Sequence, residues 1–172
     1  ILNKLCNNKF DIDKFDIEED IEKQTGLKKF RCTVESYTTA ISYRVGEVDG
    51  NHRFTFFRLN EYPNSLEKSH LNEIGYLYKL TRIVITKTLL STLPDSFKNL
   101  IQLESLNLTE NQLTILPDIF SNLTQLEILI LSNNQLTELP NSLGNLQKLK
   151  NLDLSKNQLT ILPDIFSNLT QL

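Results

Sequence analysis

From residue 93 onward the apolar positions follow one template that repeats. Leu103, Leu106, Leu108 and Leu113 are followed by Leu126, Leu129, Leu131 and Leu136, and then by Leu149, Leu152, Leu154 and Leu159, a constant step of 23 residues. Pro94, Pro117, Pro140 and Pro163 keep the same step, each preceded by leucine. Within a unit Leu106 and Leu108 alternate with Ser105 and Asn107, the period expected of a strand with one buried face. Stacking such strands from successive units predicts a parallel sheet of short strands. The Leu-Pro-Asp/Asn that follows starts a return segment, because proline's fixed φ suits the first turn of a helix and its missing donor would be unpaired there anyway. The segment has room for about one to two turns, so a short α-helix or a 3₁₀ turn is expected.

One period upstream, residues 70–92 carry Ile74, Leu77, Leu80, Ile83, Ile85 and Leu90 on the apolar columns, with Thr88 where later units have asparagine and His70 in place of the opening leucine. This is a degenerate first unit, followed by units at 93–115, 116–138 and 139–161 and a partial one at 162–172. A further half-unit is arguable at Phe54, Phe57 and Leu59, offset by three extra residues. Before it, Ile12, Phe15, Ile17 and Ile21 among acidic residues predict a short amphipathic helix ending near Gly26. Phe30 to Tyr37 reads as a strand, and Ala40–Val45 with Arg53–Leu59 as a hairpin turning at Asp49-Gly50. Residues 1–69 are therefore expected to be a helix-plus-hairpin cap, since the first unit of a solenoid exposes a layer of leucine unless something covers it.

The unit Leu-x-x-Leu-x-Leu-x-x-Asn-x-Leu, with Leu-Pro-x-x-Phe/Leu-x-Asn-Leu, resembles the leucine-rich repeat. Its 23-residue form is similar to the intracellular class of Scribble-like and Ras-regulating scaffolds and of many bacterial and archaeal proteins. It departs from the plant-receptor class, whose units carry Gly-x-Ile-Pro, and from the shorter repeats of bacterial ubiquitin-ligase effectors. Gly50-Asn51-His52 also resembles the turn leading into the first strand of some archaeal members. The resemblance implies an α/β solenoid, with a curved parallel sheet inside, short helices or 3₁₀ turns on the convex side and an N-terminal α+β cap. It also implies a protein ligand rather than a substrate.

Composition narrows the alternatives. Residues 1–86 hold 8 leucines and residues 87–172 hold 24, so the leucine excess belongs to the repeats. The formal net charge is −3, and no basic stripe of the kind that binds a phosphate backbone is present, so nucleic acid is not an expected partner. No apolar run is long enough for a membrane span. Cys6 and Cys32 are too few for a disulfide framework and read as free thiols of a reducing compartment, which points to a cytoplasmic location. The chain contains no methionine and begins at Ile1, so its natural N-terminus is expected to lie upstream. No phosphate-binding glycine loop occurs, His52 and His70 have no nucleophile nearby in sequence, and Asp11, Asp13 and Asp16 lack the glycine and glutamate of a calcium loop. The expectation is a non-enzyme without metal or cofactor. The glycosylation-like triplets at Asn107, Asn122 and Asn168 recur because the unit recurs.

Asn111, Asn134 and Asn157 fit a structural ladder, because a buried amide can tie the turn backbones of adjacent units. Phe97, Phe120, Leu143 and Phe166 read as convex-side core. The free positions are the outward columns of the strands: Thr81, Glu104, Glu127 and Lys150; Arg82, Ser105, Ile128 and Asn151; Val84, Asn107, Ile130 and Asp153; and beyond them Thr86, Thr109, Ser132 and Ser155, then Lys87, Glu110, Asn133 and Lys156. Val84, Glu104, Asn107, Glu127, Ile128, Ile130, Lys150 and Asp153 are the candidate partner-binding residues, centred on the two outward isoleucines. A binding module for a protein ligand is the leading expectation. The alternatives are a sensor or scaffold arm of a larger signalling protein, linked to a GTPase or kinase, and self-association through the C-terminal edge. That edge stops inside a unit; leaving roughly 300 Å² of apolar area uncovered would forgo about 7 kcal/mol of burial, so a longer array or a pairing partner is expected there.

Overall fold

The computed structural model describes strands at 15–17, 29–36, 39–47 and 56–60 and the chain at 71–161 and 164–172. Among the described residues, eight strands form one sheet in sequential order: β1 (Phe15–Ile17), β2 (Lys29–Ser36), β3 (Thr39–Glu47), β4 (Phe56–Asn60), β5 (Arg82–Thr86), β6 (Ser105–Asn107), β7 (Ile128–Ile130) and β8 (Asn151–Asp153). The first four pair antiparallel, and β4 to β8 pair parallel. β4 thus belongs to both halves, joined to β3 through Tyr43↔Leu59 and to β5 through Leu59↔Ile85.

Two expectations for the N-terminal segment need correction or refinement. Phe15–Ile17, read from sequence as part of a helix, is a strand paired with β2 through Phe15↔Cys32. Phe15 and Ile17 fit a period of two as well as a helical face, and the pairing selects the former. The rest of that helix and the Asp49-Gly50 turn lie outside the described residues. The strand expected at 30–37 is β2, and β3 with β4 are the antiparallel strands read as a hairpin.

Every parallel strand returns through a 3₁₀ turn, at Asn72–Tyr76, Asp95–Asn99, Phe120–Asn122, Asn141–Asn145 and Asp164–Asn168. Of the two forms expected, the shorter won: about 23 residues must make a strand, two corners and a return, which leaves no length for an α-helix to pay back its nucleation. Pro94 and Pro140 sit one residue before their turns, with ψ of 144° in extended backbone, so they end the approach to the turn rather than form its first helical position.

The core is a stack of leucine columns between the sheet and the turns. Ile83, Leu106 and Leu129 are fully buried in register across the sheet, as are Ile85, Leu108 and Leu131 beside them. Phe97 and Phe120, also fully buried, and Leu143 close the convex side. Leu152, Leu154, Leu159 and Phe166 are half-buried against this cluster. At the convex surface Gly75 faces Ser96 so closely that a Cβ at position 75 would overlap the serine's side chain and carbonyl.

Candidate interaction surface

The parallel ladder places the outward side chains in straight columns across five strands. Phe56, Arg82, Ser105, Ile128 and Asn151 are register partners in one column, and Arg58, Val84, Asn107, Ile130 and Asp153 in the next. The expected residues Val84, Asn107, Ile130 and Asp153 are therefore strand neighbours, each half-buried, and Ile128 stands beside them with 38% of its surface exposed. Glu104, Glu127 and Lys150 form the column before the strands. The N–H of Glu127 donates to the carbonyl of Glu104, and that of Lys150 to the carbonyl of Glu127, which extends the ladder past the strands proper. At the side-chain level Lys150 Nζ and Glu127 Oε2 form an exposed ion pair at 2.9 Å.

Sequence reasoning left out the contribution of β4. Phe56, Arg58 and Asn60 occupy the first row of this face, continuing the columns of β5. The alternation Phe57, Leu59 was the available signal, but the three extra residues before the next unit hid its register. The Arg82 guanidinium lies 5.7 Å from the centre of the Phe56 ring, in a cation–π contact. With the Asn60 amide oriented so that both ends find partners, Nδ2 donates to Thr86 Oγ1 at 2.6 Å and Oδ1 accepts from Arg58 Nε at 3.1 Å.

A line of hydroxyls and short polar groups runs along one margin of the face. Asn107 Oδ1 accepts from the Thr109 N–H at 3.0 Å and from its hydroxyl at 2.7 Å, and Thr109 Oγ1 lies 3.4 Å from Ser132 Oγ. The Ser155 N–H donates to Asp153 Oδ1 at 2.9 Å. Hydrogen bonds from the Ser155 hydroxyl and then its N–H hold the Asp153 carboxyl below the usual carboxylate range, opposed by burial and helped least by Ser132. Beyond this line Lys87, Glu110, Asn133 and Lys156 all adopt left-handed backbone, with φ between 54° and 57°, turning the chain off the sheet at the same step of every unit.

Beneath the surface the asparagines bind backbone rather than solvent. Asn134 Nδ2 donates to the carbonyls of Leu108 and Leu131, both at 2.9 Å, while its Oδ1 accepts from the Leu113 N–H at 3.1 Å. Asn157 repeats the pattern with Leu131, Leu154 and Leu136. Asn111 does so with Ile85 and Leu108, and its Oδ1 serves Thr88 and Leu90. Among the described residues there is no cluster of potential metal ligands and no helix long and apolar enough to cross a membrane.

Columns of register-matched strands, one 3₁₀ return per unit and a backbone-binding asparagine in three successive turns are joined by a direct sequence match: residues 34–172 match the family described as the leucine-rich repeat region. The chain belongs to the leucine-rich repeat family. Proteins with this solenoid generally act as protein–protein interaction modules, and the fold is typically non-enzymatic. Among solved structures, this leucine-rich repeat chain is similar to an internalin from Listeria monocytogenes, with 27% identity and a TM-score of 0.57 over 67% of this chain and 32% of that one. It is also similar to a leucine-rich repeat protein from Leptospira interrogans, with 30% identity and a TM-score of 0.51 over 63% of this chain and 33% of that one. The leucine-rich repeat ectodomain of the receptor kinase SOBIR1 from Arabidopsis thaliana gives 26% identity and a TM-score of 0.56, over 84% of this chain and 74% of that one. The chain thus spans about a third of the internalin and Leptospira structures. Comparison with curated protein sequences returned no match.

Proposed function

We propose that this chain captures a protein ligand on the outward face of its parallel sheet, by shape and surface complementarity and without covalent chemistry. The observation that carries the reading is the apolar centre of that face. Ile128 and Ile130 project from the same three-residue strand, with Val84 two strands away, while polar side chains surround them. Strand packing explains the buried Leu129 between the isoleucines, and although β-branched side chains suit strand backbone, two of them on the outward side of one strand form an apolar patch amid polar neighbours. A rigid sheet of this kind loses little conformational freedom on binding, which favours affinity per contact. The test is affinity capture from native lysate with the wild-type chain and with Ile128→Asp/Ile130→Asp. The reading expects capture to be lost with the circular dichroism spectrum unchanged; equal capture by both would overturn it.

A second reading has its own support. The match to a receptor-kinase ectodomain covers most of both chains, which favours a role as the sensing arm of a larger signalling protein. The ligand-binding face would be the same, and the coding sequence adjoining this segment decides between a free module and an arm: a kinase or phosphate-binding domain there supports the arm.

A further inference from the structure

Charge on the outward face is sorted along the stack of strands. Across the five parallel strands the two central columns hold basic residues only at Arg58 on β4 and Arg82 on β5, both exposed, and an acidic one only at Asp153 on β8, while the Arg58 column continues by register into Arg44 on β3, Arg31 on β2 and Asp16 on β1. Between them lie Val84, Ser105, Asn107, Ile128 and Ile130, all uncharged. Both ends are held in place: Arg82 rests against Phe56, Arg58 is tied to Asn60, and Asp153 is fixed by Ser155. The rims do not share this order. Glu104 and Glu127 stand on one side, the latter already paired with Lys150, and Lys87, Glu110 and Lys156 alternate in sign on the other.

We propose, building on the reading of this face as a protein-binding surface, that it selects a polypeptide segment with an acidic side chain over Arg58 and Arg82, an apolar one over Ile128 and Ile130, and a basic one over Asp153. Paired strands lie roughly 4.8 Å apart, so the step from β4 to β8 is about 19 Å. An extended chain advances about 3.3–3.6 Å per residue, so an acid and a base separated by about five or six residues match the two ends. The opposite signs at the ends select against uniformly charged partners. An anionic membrane or a nucleic acid would satisfy the arginines but would set phosphate against Asp153, and a purely basic segment would meet the arginines. The apolar centre supplies contact area, and the charged ends supply discrimination and register.

The experiment is fluorescence anisotropy of the full chain with labelled eight-residue peptides of stated order. The sorted peptide is Asp-Asp-Ser-Leu-Leu-Ser-Lys-Lys. The controls are a composition-matched peptide with its charges alternated, one with acids at both ends and one with bases at both ends. The sorted peptide is expected to bind at least about ten-fold more tightly than each control, with the difference shrinking as salt rises. Arg58→Glu/Arg82→Glu, two exposed substitutions that leave the core untouched, should transfer the preference to the peptide with bases at both ends. Equal binding of all four peptides, binding of none, or a preference unchanged by the charge reversal would overturn the proposal. The two readings separate cleanly. If Ile128→Asp/Ile130→Asp abolishes capture of the natural ligand while peptide charge order has no effect, the face binds protein but is not charge-sorted.

Discussion

The Thr88 hydroxyl donates to Asn111 Oδ1 at 2.7 Å, and the Thr88 N–H donates to the same oxygen at 3.0 Å. Thr88 occupies the position held by asparagine in every later unit, and its own column partner supplies the acceptor it needs. The amide of Asn111 also binds the carbonyls of Ile85 and Leu108. Asn111→Ala strips several buried groups of their partners at once and is expected to cost about 3–4 kcal/mol, whereas Thr88→Val removes one donor and should cost about 1 kcal/mol. Asn157→Ala, in a half-buried turn, should fall between them. Urea denaturation of the three variants checks the ranking.

A second prediction concerns backbone strain. Leu89 and Glu110 have φ of 57°, where a side chain is disfavoured and asparagine or glycine is not. Only Asn133 in the column of turn positions is a residue suited to that region. Leu89→Gly removes an exposed side chain from a left-handed position, and Glu110→Asn replaces one. Each is expected to stabilise by about 0.5–1 kcal/mol, visible as a raised thermal midpoint; a lowered midpoint for both would count against the geometry.

The convex side contains a correctable flaw. Ser142 Oγ is buried with no hydrogen-bond partner, so Ser142→Ala should raise stability by about 1 kcal/mol in the same denaturation assay. Gly75→Ala should act in the opposite direction, by about 1–3 kcal/mol, because its new methyl meets Ser96.

These sites show how much of the molecule was legible in the chain. The asparagine turns and the leucine columns were readable because each residue's partner lies a fixed step away, so the local pattern already contains the tertiary one. Phe56, Arg58 and Asn60 were not readable as part of the outward face, since three inserted residues break that step and only the pairing of β4 with β5 restores it. Phe15–Ile17 was misread because three residues fit a helical face and a strand equally, and pairing with β2 is a non-local choice. The left-handed turn column left a trace only at Asn133, as lysine and glutamate carry no conformational signature there.

Acid should weaken the last described strand. Hydrogen bonds from Ser155 lower the Asp153 pKa in the folded chain relative to the unfolded one. The carboxylate therefore contributes stability above the ordinary carboxylate range, and that contribution is lost as pH falls below about 4, through the folded-state pKa. Asp153→Asn should flatten this part of the stability–pH profile while leaving the profile above pH 5 unchanged. An identical acid limb in both proteins would show that Asp153 plays no part in it.

The central claim is that the outward sheet face is where the ligand sits, and site-specific photo-crosslinking tests it most directly. A photoreactive side chain at Ser105 or Asn151, on that face, should become covalently joined to the captured ligand. The same group at Lys98 or Ser121, both exposed on the convex 3₁₀ turns, should give no product. Crosslinks from the convex positions with silence from Ser105 and Asn151 would contradict the account.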